Sequence, residues 1–459
     1  MKISKIDITD YNQFKNLKLD LTYPKGHKKE GQALDKICFL GQSGTGKTSL
    51  LTICKAILRA TFKSNHDGTL GGVLNTADQK HHLKNIKMTS YFKGIKTLLE
   101  VKEGGDIVWH LNSLKTEVPI NFIEDFYADK NLLIYFPAEM VDNVNRILVE
   151  KNQLTHPFDY LKTENEIKQN ISQEKMKVFD FESENFLDIW TNILKNINNY
   201  KVEELKYSQQ IANAFTKSTE EGEKILAIFK HWKQENPNPI EKLARTLNPI
   251  LTKFYLTIKT VFDFQSIEDL KFIKIQSRGG TEIPYHGWST GTKQFILTIT
   301  PLFQLNTTNT IILLDEPERS LYPDIQTEII DYYTELAPDA QFFFATHSPL
   351  IASTFEPWEI VELKFNEQGT VYQEKYYEGE RQVDNYFIDP RYLRWDSILM
   401  RIFDLEKEGS ETRSDALEEA CLLKAKLKKF KAENRLDTKE GQKMLERFEK
   451  LGKKLAWRL

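Results

Sequence analysis

Ile37-Cys38-Phe39-Leu40-Gly41-Gln42-Ser43-Gly44-Thr45-Gly46-Lys47-Thr48-Ser49 is the stretch on which the fold turns. Four apolar residues, the length of a buried strand, run straight into a glycine-rich turn that matches the P-loop pattern at every position. Beyond it Leu50, Leu51, Ile53, Cys54, Ile57 and Leu58 recur at helical spacing. In a strand–turn–helix of this kind the glycines let backbone N–H groups turn inward around phosphate oxygens, and the helix N-terminus adds a favourable dipole. Lys47 is placed to reach β- and γ-phosphates, and the Thr48 hydroxyl to ligate Mg²⁺. Residues Gly41 to Ser49 are therefore candidate nucleotide-binding residues.

Towards the N-terminus, residues 1–8 alternate apolar and polar side chains as a strand does, and Phe14, Leu17, Leu19 and Leu21 alternate in a second. Towards the C-terminus, residues 98–101 and 107–111 read as a hairpin around Gly104-Gly105, and residues 132–136 as a strand stopped by Pro137. Glycine then almost disappears. Phe186, Ile189, Trp190, Ile193, Leu194 and Ile197 mark one amphipathic helix. Ile225, Ile228, Phe229 and Trp232 mark a second, ended by Asn236-Pro237-Asn238-Pro239, and Leu243, Leu247 and Leu251 a third. Trp190 and Trp232 read as core of these helices.

Strand-like runs return at residues 272–275, 310–314, 341–344 and 360–363, with a helical pattern at 325–336. Strands alternating with helices predict an α/β fold: a mostly parallel sheet with flanking helices, split by a helical insertion and followed by a helical C-terminal extension. The expected divisions are 1–150 and 261–390 for the two parts of the sheet domain, 151–260 for the insertion and 391–459 for the tail. In the tail, Leu417, Cys421, Leu423, Leu427 and Phe430 form one stripe and Met444, Leu445, Phe448, Leu451 and Leu455 another.

The second half of the site is Ile311-Ile312-Leu313-Leu314-Asp315-Glu316. Four apolar residues ending in two acids predict a buried strand whose C-terminal edge, where open α/β sheets bind ligands, presents carboxylates. Asp315 is placed to hold Mg²⁺ and Glu316 to polarise an attacking water as general base.

Between these elements lies Trp288-Ser289-Thr290-Gly291-Thr292-Lys293-Gln294; after them come Pro317-Glu318-Arg319-Ser320-Leu321-Tyr322-Pro323 and Phe342-Phe343-Phe344-Ala345-Thr346-His347-Ser348. In order and spacing the set resembles the ABC-type ATPases, in their recombination and chromosome-maintenance branch. The three segments look like its signature motif, D-loop and switch histidine. The resemblance is close over residues 1–60 and 265–365 and looser over 130–140. It implies that Lys47, Thr48, Asp315, Glu316 and His347 act on ATP and Mg²⁺ from one subunit, while Ser289 and Gly291 of a second subunit close over the γ-phosphate. It also implies at least a homodimer of heads and slow hydrolysis tied to conformational change. One departure stands out: the superfamily's Q-loop glutamine has no convincing counterpart. Glu139 reads either as that counterpart or as a surface carboxylate.

Composition narrows the function. A net charge of -3 excludes a uniformly basic nucleic-acid binder. Three cysteines (Cys38, Cys54 and Cys421), no pair of them at metal-ligand spacing, speak against a disulfide framework or structural zinc and for a reducing, cytoplasmic setting. The apolar runs fall short of the roughly 20 residues that span a membrane. The charge is uneven: residues 421–459 hold 13 Lys and Arg against 5 Asp and Glu. That basic tail reads as a solvated face, or as a docking surface for an acidic partner or for nucleic-acid phosphates.

In length and architecture the chain also resembles the ATPase components of bacterial anti-phage defence operons, those of Septu first and of PARIS next. That resemblance implies a multimeric ATPase that controls an effector nuclease of HNH or Toprim type. Two other readings stand beside it: a DNA-repair or recombination ATPase of the RecF or Rad50 type that binds DNA directly, and an assembly protein that binds ATP and barely hydrolyses it.

Overall fold

The runs Ile311 to Leu314 and Phe342 to Phe344 are buried throughout, and only the interior of a sheet covered on both faces accepts such strands. The computed structural model describes residues 1–62, 83, 85–103, 105–111, 132–142, 177–182, 186–260, 273–405 and 409–457, with 186–195 and 198 by backbone alone. These fall into two units, Met1–Tyr392 and Leu393–Leu459. Residues 151–176 of the expected insertion, Gly104 of the expected hairpin and Phe272 of the expected strand lie outside the described residues.

In the larger unit the strands are β1 (Lys2–Tyr11), β2 (Phe14–Asp20), β3 (Lys36–Gly41), β4 (Ile86–Phe92), β5 (Ile95–Val101), β6 (Ile107–Leu111), β7 (Leu133–Phe136) and β8 (Val178–Asp180). A separate small sheet of β9 (Leu256–Ile258), β10 (Ile275–Ser277) and β11 (Glu282–Ile283) follows. The main sheet resumes with β12 (Ile311–Asp315), β13 (Gln341–Ala345), β14 (Ile360–Phe365) and β15 (Val371–Glu374). Its spatial order is β6-β5-β4-β1-β2-β15-β14-β3-β13-β12-β7-β8. From β14 to β8 every pairing is parallel. From β6 to β2 the sheet is an antiparallel wing that includes the expected hairpin. The α/β architecture is as the sequence predicts. The sequence reading does not anticipate β4, β8, β9, β11 or β15, and its expected strand 272–275 overlaps β10 only at Ile275; strands of two or three residues are too short to show a period.

Because β3, β12 and β13 run parallel in adjacent positions, their C-terminal ends share one edge. That edge receives Gly41, Asp315 and Ala345, so topology alone gathers the glycine-rich loop, the two acids and the Thr346-His347 turn. The sheet faces follow from the period of two. Phe343 lies 6.0 Å from Phe39 on the side of α1 (Lys47–Phe62), which packs on β3, β7, β12 and β13. Phe342 and Phe344 stack at 5.6 Å on the opposite side.

The described part of the stretch expected as an insertion holds α2 (Phe186–Lys217), α3 (Thr219–Glu235) and α4 (Pro239–Leu251). The Asn-Pro repeat follows the end of α3 at Glu235, as expected, and also starts the next helix: Asn238 caps α4 and Pro239 opens it. An aromatic seam, Tyr200–Trp232 at 5.0 Å and Tyr207–Phe229 at 5.3 Å, joins α2 to α3. After the small sheet, α5 (Thr290–Gln304) and α7 (Ile329–Leu336) flank the one-turn helix α6 (Pro323–Gln326). Tyr333 of α7 packs 6.4 Å from Phe344 and shares a 2.8 Å hydrogen bond with Thr298 of α5. The one-turn helix α8 (Pro349–Ala352) follows β13.

The smaller unit holds α9 (Trp395–Arg401), α10 (Glu411–Ala432) and α11 (Lys439–Lys454). α10 and α11 pack through Ala420, Leu451 and Leu455. Here the expected stripe needs correcting. Cys421 is exposed and its neighbour Ala420 takes the buried position, because a helix rotated by one residue brings the smaller side chain to the close approach. No described helix is long and apolar enough to cross a membrane.

Candidate functional site

Three backbone features shape the cleft. Gly41, Gly44 and Gly46 take φ of 141°, 86° and 88°, a region that favours glycine. A Cβ on Gly46 would strike the Phe14 ring at 2.5 Å and one on Gly41 the Leu363 carbonyl. The loop is thus wedged between β2 and β14. Thr45 is fully buried and donates to the Gln42 carbonyl at 2.8 Å, closing the turn.

A cleft of about 270 Å³ opens over this loop, lined by Gln13, Ser43, Gly44, Gly46, Lys47, Thr48, Ser49, Asp315, Glu316 and His347. Thr48 Oγ1 donates to Asp315 Oδ1 at 3.1 Å. Lys47 Nζ donates to the carbonyls of Gly41 and Gln42 at 2.9 and 3.0 Å. The His347 ring lies 4.0 Å from the Glu316 carboxylate. Glu316 itself adopts φ 46°, outside the usual range for a side chain of its size, and is held by its N–H donating to the Ala345 carbonyl at 2.8 Å.

Burial dominates the electrostatics. It pushes the Lys47 ammonium down to about 8 against the pull of Asp315 and Glu316. It pushes the Asp315 carboxyl up to about 6, opposed by the Thr48 hydrogen bond and reinforced by the Glu316 charge. Burial, with the Lys47 charge, also lowers His347 below the usual imidazole range, against the Glu316 charge.

A buried carboxylate beside a hydroxyl suits a hard cation, which offsets the cost of ionising it. Among the described residues no three or more His, Cys, Asp or Glu side chains gather into a metal cluster. A cation between Thr48 and Asp315 would take its remaining ligands from phosphate oxygens and water, the habit of Mg²⁺.

Ser289 and Gly291 lie elsewhere. Ser289 caps α5, accepting from Thr292 N–H at 3.1 Å, and Gly291 abuts the Ser320 carbonyl so closely that a Cβ would not fit. Neither lines the cleft. Glu139 is also outside it, exposed and 3.9 Å from Arg319.

Sequence reasoning missed Gln13. Tyr11 pairs with Phe14, which leaves Asn12, at φ 49°, and Gln13 at the tip of a two-residue hairpin; Gln13 Nε2 donates to the Gly44 carbonyl at 3.1 Å. The signal was its place directly before Phe14. Glu318 was quoted only within a motif, yet it is buried beside the His347 backbone.

Residues 1–352 match the model of the AAA ATPase domain family. The chain belongs to that family. The match takes in the glycine-rich loop, both strand-end acids and His347. This AAA ATPase domain is similar at low identity to several solved structures. One is an SmcHead bound to the C-winged helix domain of ScpA (12% identity, 82% of this chain and 97% of that one, TM-score 0.41). Another is an Smc head domain with an extended coiled coil, bound to the C-terminal domain of ScpA from Pyrococcus furiosus (14%, 81% and 96%, 0.39). A third is the SMC head domain from Thermotoga maritima (11%, 82% and 98%, 0.36). No curated protein matches it.

Proposed function

We propose that the chain is an ABC-type ATPase head that hydrolyses Mg²⁺-bound ATP at a composite site made by two copies. Lys47 and the Gly41 to Ser49 loop bind the phosphates, Thr48 and Asp315 the cation, Glu316 activates water, and His347 faces the reacting phosphate. The observation that carries the reading is the division of the motif set. Lys47, Thr48, Asp315, Glu316 and His347 line one cleft, whereas Ser289 and Gly291 lie off it. A signature motif outside its own cleft is free to serve the cleft of a second copy. Glu316→Gln tests this: it should bind ATP, stop turning over, and double its native mass in ATP and Mg²⁺. A variant that hydrolyses at the parent rate, or stays monomeric at every nucleotide concentration, would sink the reading.

The finer reading is that this cycle takes place in the cytoplasm and controls a partner effector nuclease in anti-phage defence. Its support is the resemblance noted from the sequence and the tail, where Lys424, Lys428, Lys431, Lys443, Lys450 and Lys454 are exposed along α10 and α11. The same lysines favour a second reading, direct contact with DNA phosphates. Salt-sensitive binding of duplex DNA by the purified chain would favour the second; its absence, with a nuclease co-purifying, the first.

A further inference from the structure

Two loops meet at the cleft. One, after β12, carries Glu316; the other, after β13, carries His347. Behind them runs a closed hydrogen-bond circuit. The Thr346 hydroxyl donates to the Glu318 carboxylate, and the His347 N–H approaches the same oxygen at 3.3 Å. Ser348 N–H donates to Thr346 Oγ1 at 2.9 Å, and Ser348 Oγ to Gln326 Oε1 at 2.7 Å. Gln326 Nε2 donates to the Leu321 carbonyl at 2.9 Å, and Leu321 N–H returns to the Glu318 carbonyl at 2.9 Å. Glu318, Thr346 and Ser348 are all buried.

A buried carboxyl is costly unless its environment uses it. Glu318 Oε1 takes two donors, while Oε2 has no hydrogen-bond partner among the described residues. Burial pushes the carboxyl up to about 7, the Thr346 and His347 donors opposing. What the surroundings use of this group is the accepting oxygen, Oε1. That oxygen reaches from the Glu316 loop to the His347 backbone.

We propose that Glu318 is a positioning residue for ATP hydrolysis: its Oε1, with Thr346, Ser348 and Gln326, clamps the two loops and sets the His347 ring against Glu316. The proposal rests on the ATPase reading above. Glu318 touches no reacting atom; it acts through His347.

The test compares Glu318→Ala, Glu318→Gln and Thr346→Val, each alone and in a His347→Ala background. Glutamine keeps an acceptor oxygen at nearly the same place, so Glu318→Gln should stay within about threefold of the parent kcat. Glu318→Ala and Thr346→Val should lose about tenfold or more in kcat with KM for ATP unchanged. In the His347→Ala background they should add almost nothing, because coupled residues are not additive. A general loss of structure would add in both backgrounds and raise KM.

A second readout does not need turnover. In protein labelled with ¹³C-histidine, the His347 ring signal, assigned by its loss in His347→Ala, should shift in Glu318→Ala and return in Glu318→Gln. An unmoved His347 signal, full additivity, or a Glu318→Ala enzyme at the parent rate overturns the proposal. A parent chain that hydrolyses nothing overturns the ATPase reading instead, and leaves the histidine signal to decide the clamp.

Discussion

Thr48 Oγ1 and Asp315 Oδ1 meet at 3.1 Å although 267 residues separate them in the chain. The bond joins the start of α1 to the end of β12, and it places side by side, in the lining of the cleft, the two oxygens proposed to hold the cation. Asp315→Asn keeps the shape and removes the charge that would balance a divalent cation. Hydrolysis should fall by about 100-fold or more, with the residual rate flat in Mg²⁺. A Mg²⁺ titration of phosphate release checks this; a variant that saturates with Mg²⁺ at the parent rate would take Asp315 out of the metal site.

Lys47 spends its donors on the carbonyls of its own loop, Gly41 and Gln42. Arriving phosphates would add the charge-assisted contacts that the cleft holds in reserve, each worth about 1.5–3 kcal/mol. Lys47→Ala should therefore weaken ATP by about 10- to 100-fold. Calorimetric titration with ATP measures it, and retained affinity would mean that the nucleotide binds elsewhere.

Legibility in the sequence tracked the length and polarity of each signal. The P-loop and the apolar runs of β12 and β13, Ile311 to Leu314 and Phe342 to Phe344, were plain, because a buried strand ending in a glycine turn or a pair of acids leaves few alternatives. What put them side by side was not plain: the β3-β13-β12 order is a property of crossovers, and no residue spells it. Gln13 was hidden because a hairpin tip shows only as two residues between alternating runs. The circuit around Glu318 was hidden for another reason. Its members, Thr346, Ser348 and Gln326, are ordinary polar residues whose pairing depends on two loops that only the sheet edge brings together.

Gly291 has no room for a side chain, since a Cβ there would press on the Ser320 carbonyl. Gly291→Ala must move either the start of α5 or the 317–322 turn, an overpacking that typically costs about 1–3 kcal/mol. Because the residue lies off its own cleft, ATP binding by the single head should survive within about threefold. ATP-dependent association and hydrolysis should both drop. Equilibrium binding beside native mass separates the two, and a variant that associates and hydrolyses normally would remove the signature motif from the proposed interface.

Glu359 gives a pH signature that needs no ligand. Burial pushes its carboxyl from the ordinary 4.5 up to about 7, against the opposing Lys36 ammonium at 3.6 Å. A carboxyl whose folded pKa is raised holds a proton in the native state that the unfolded chain has already lost, so its contribution to stability falls as pH rises from about 4.5 to about 7. Glu318 acts in the same direction, and the wild-type curve alone would not isolate Glu359. The difference between Glu359→Gln and the parent does. Glutamine cannot ionise and still accepts from the Glu356 N–H, which now donates to Glu359 Oε2 at 2.9 Å. The melting temperature of Glu359→Gln minus that of the parent should climb across the window and level off above pH 7. A difference that stays flat, or falls, would show that Glu359 is ionised in the folded protein well below neutrality and that Lys36 outweighs its burial.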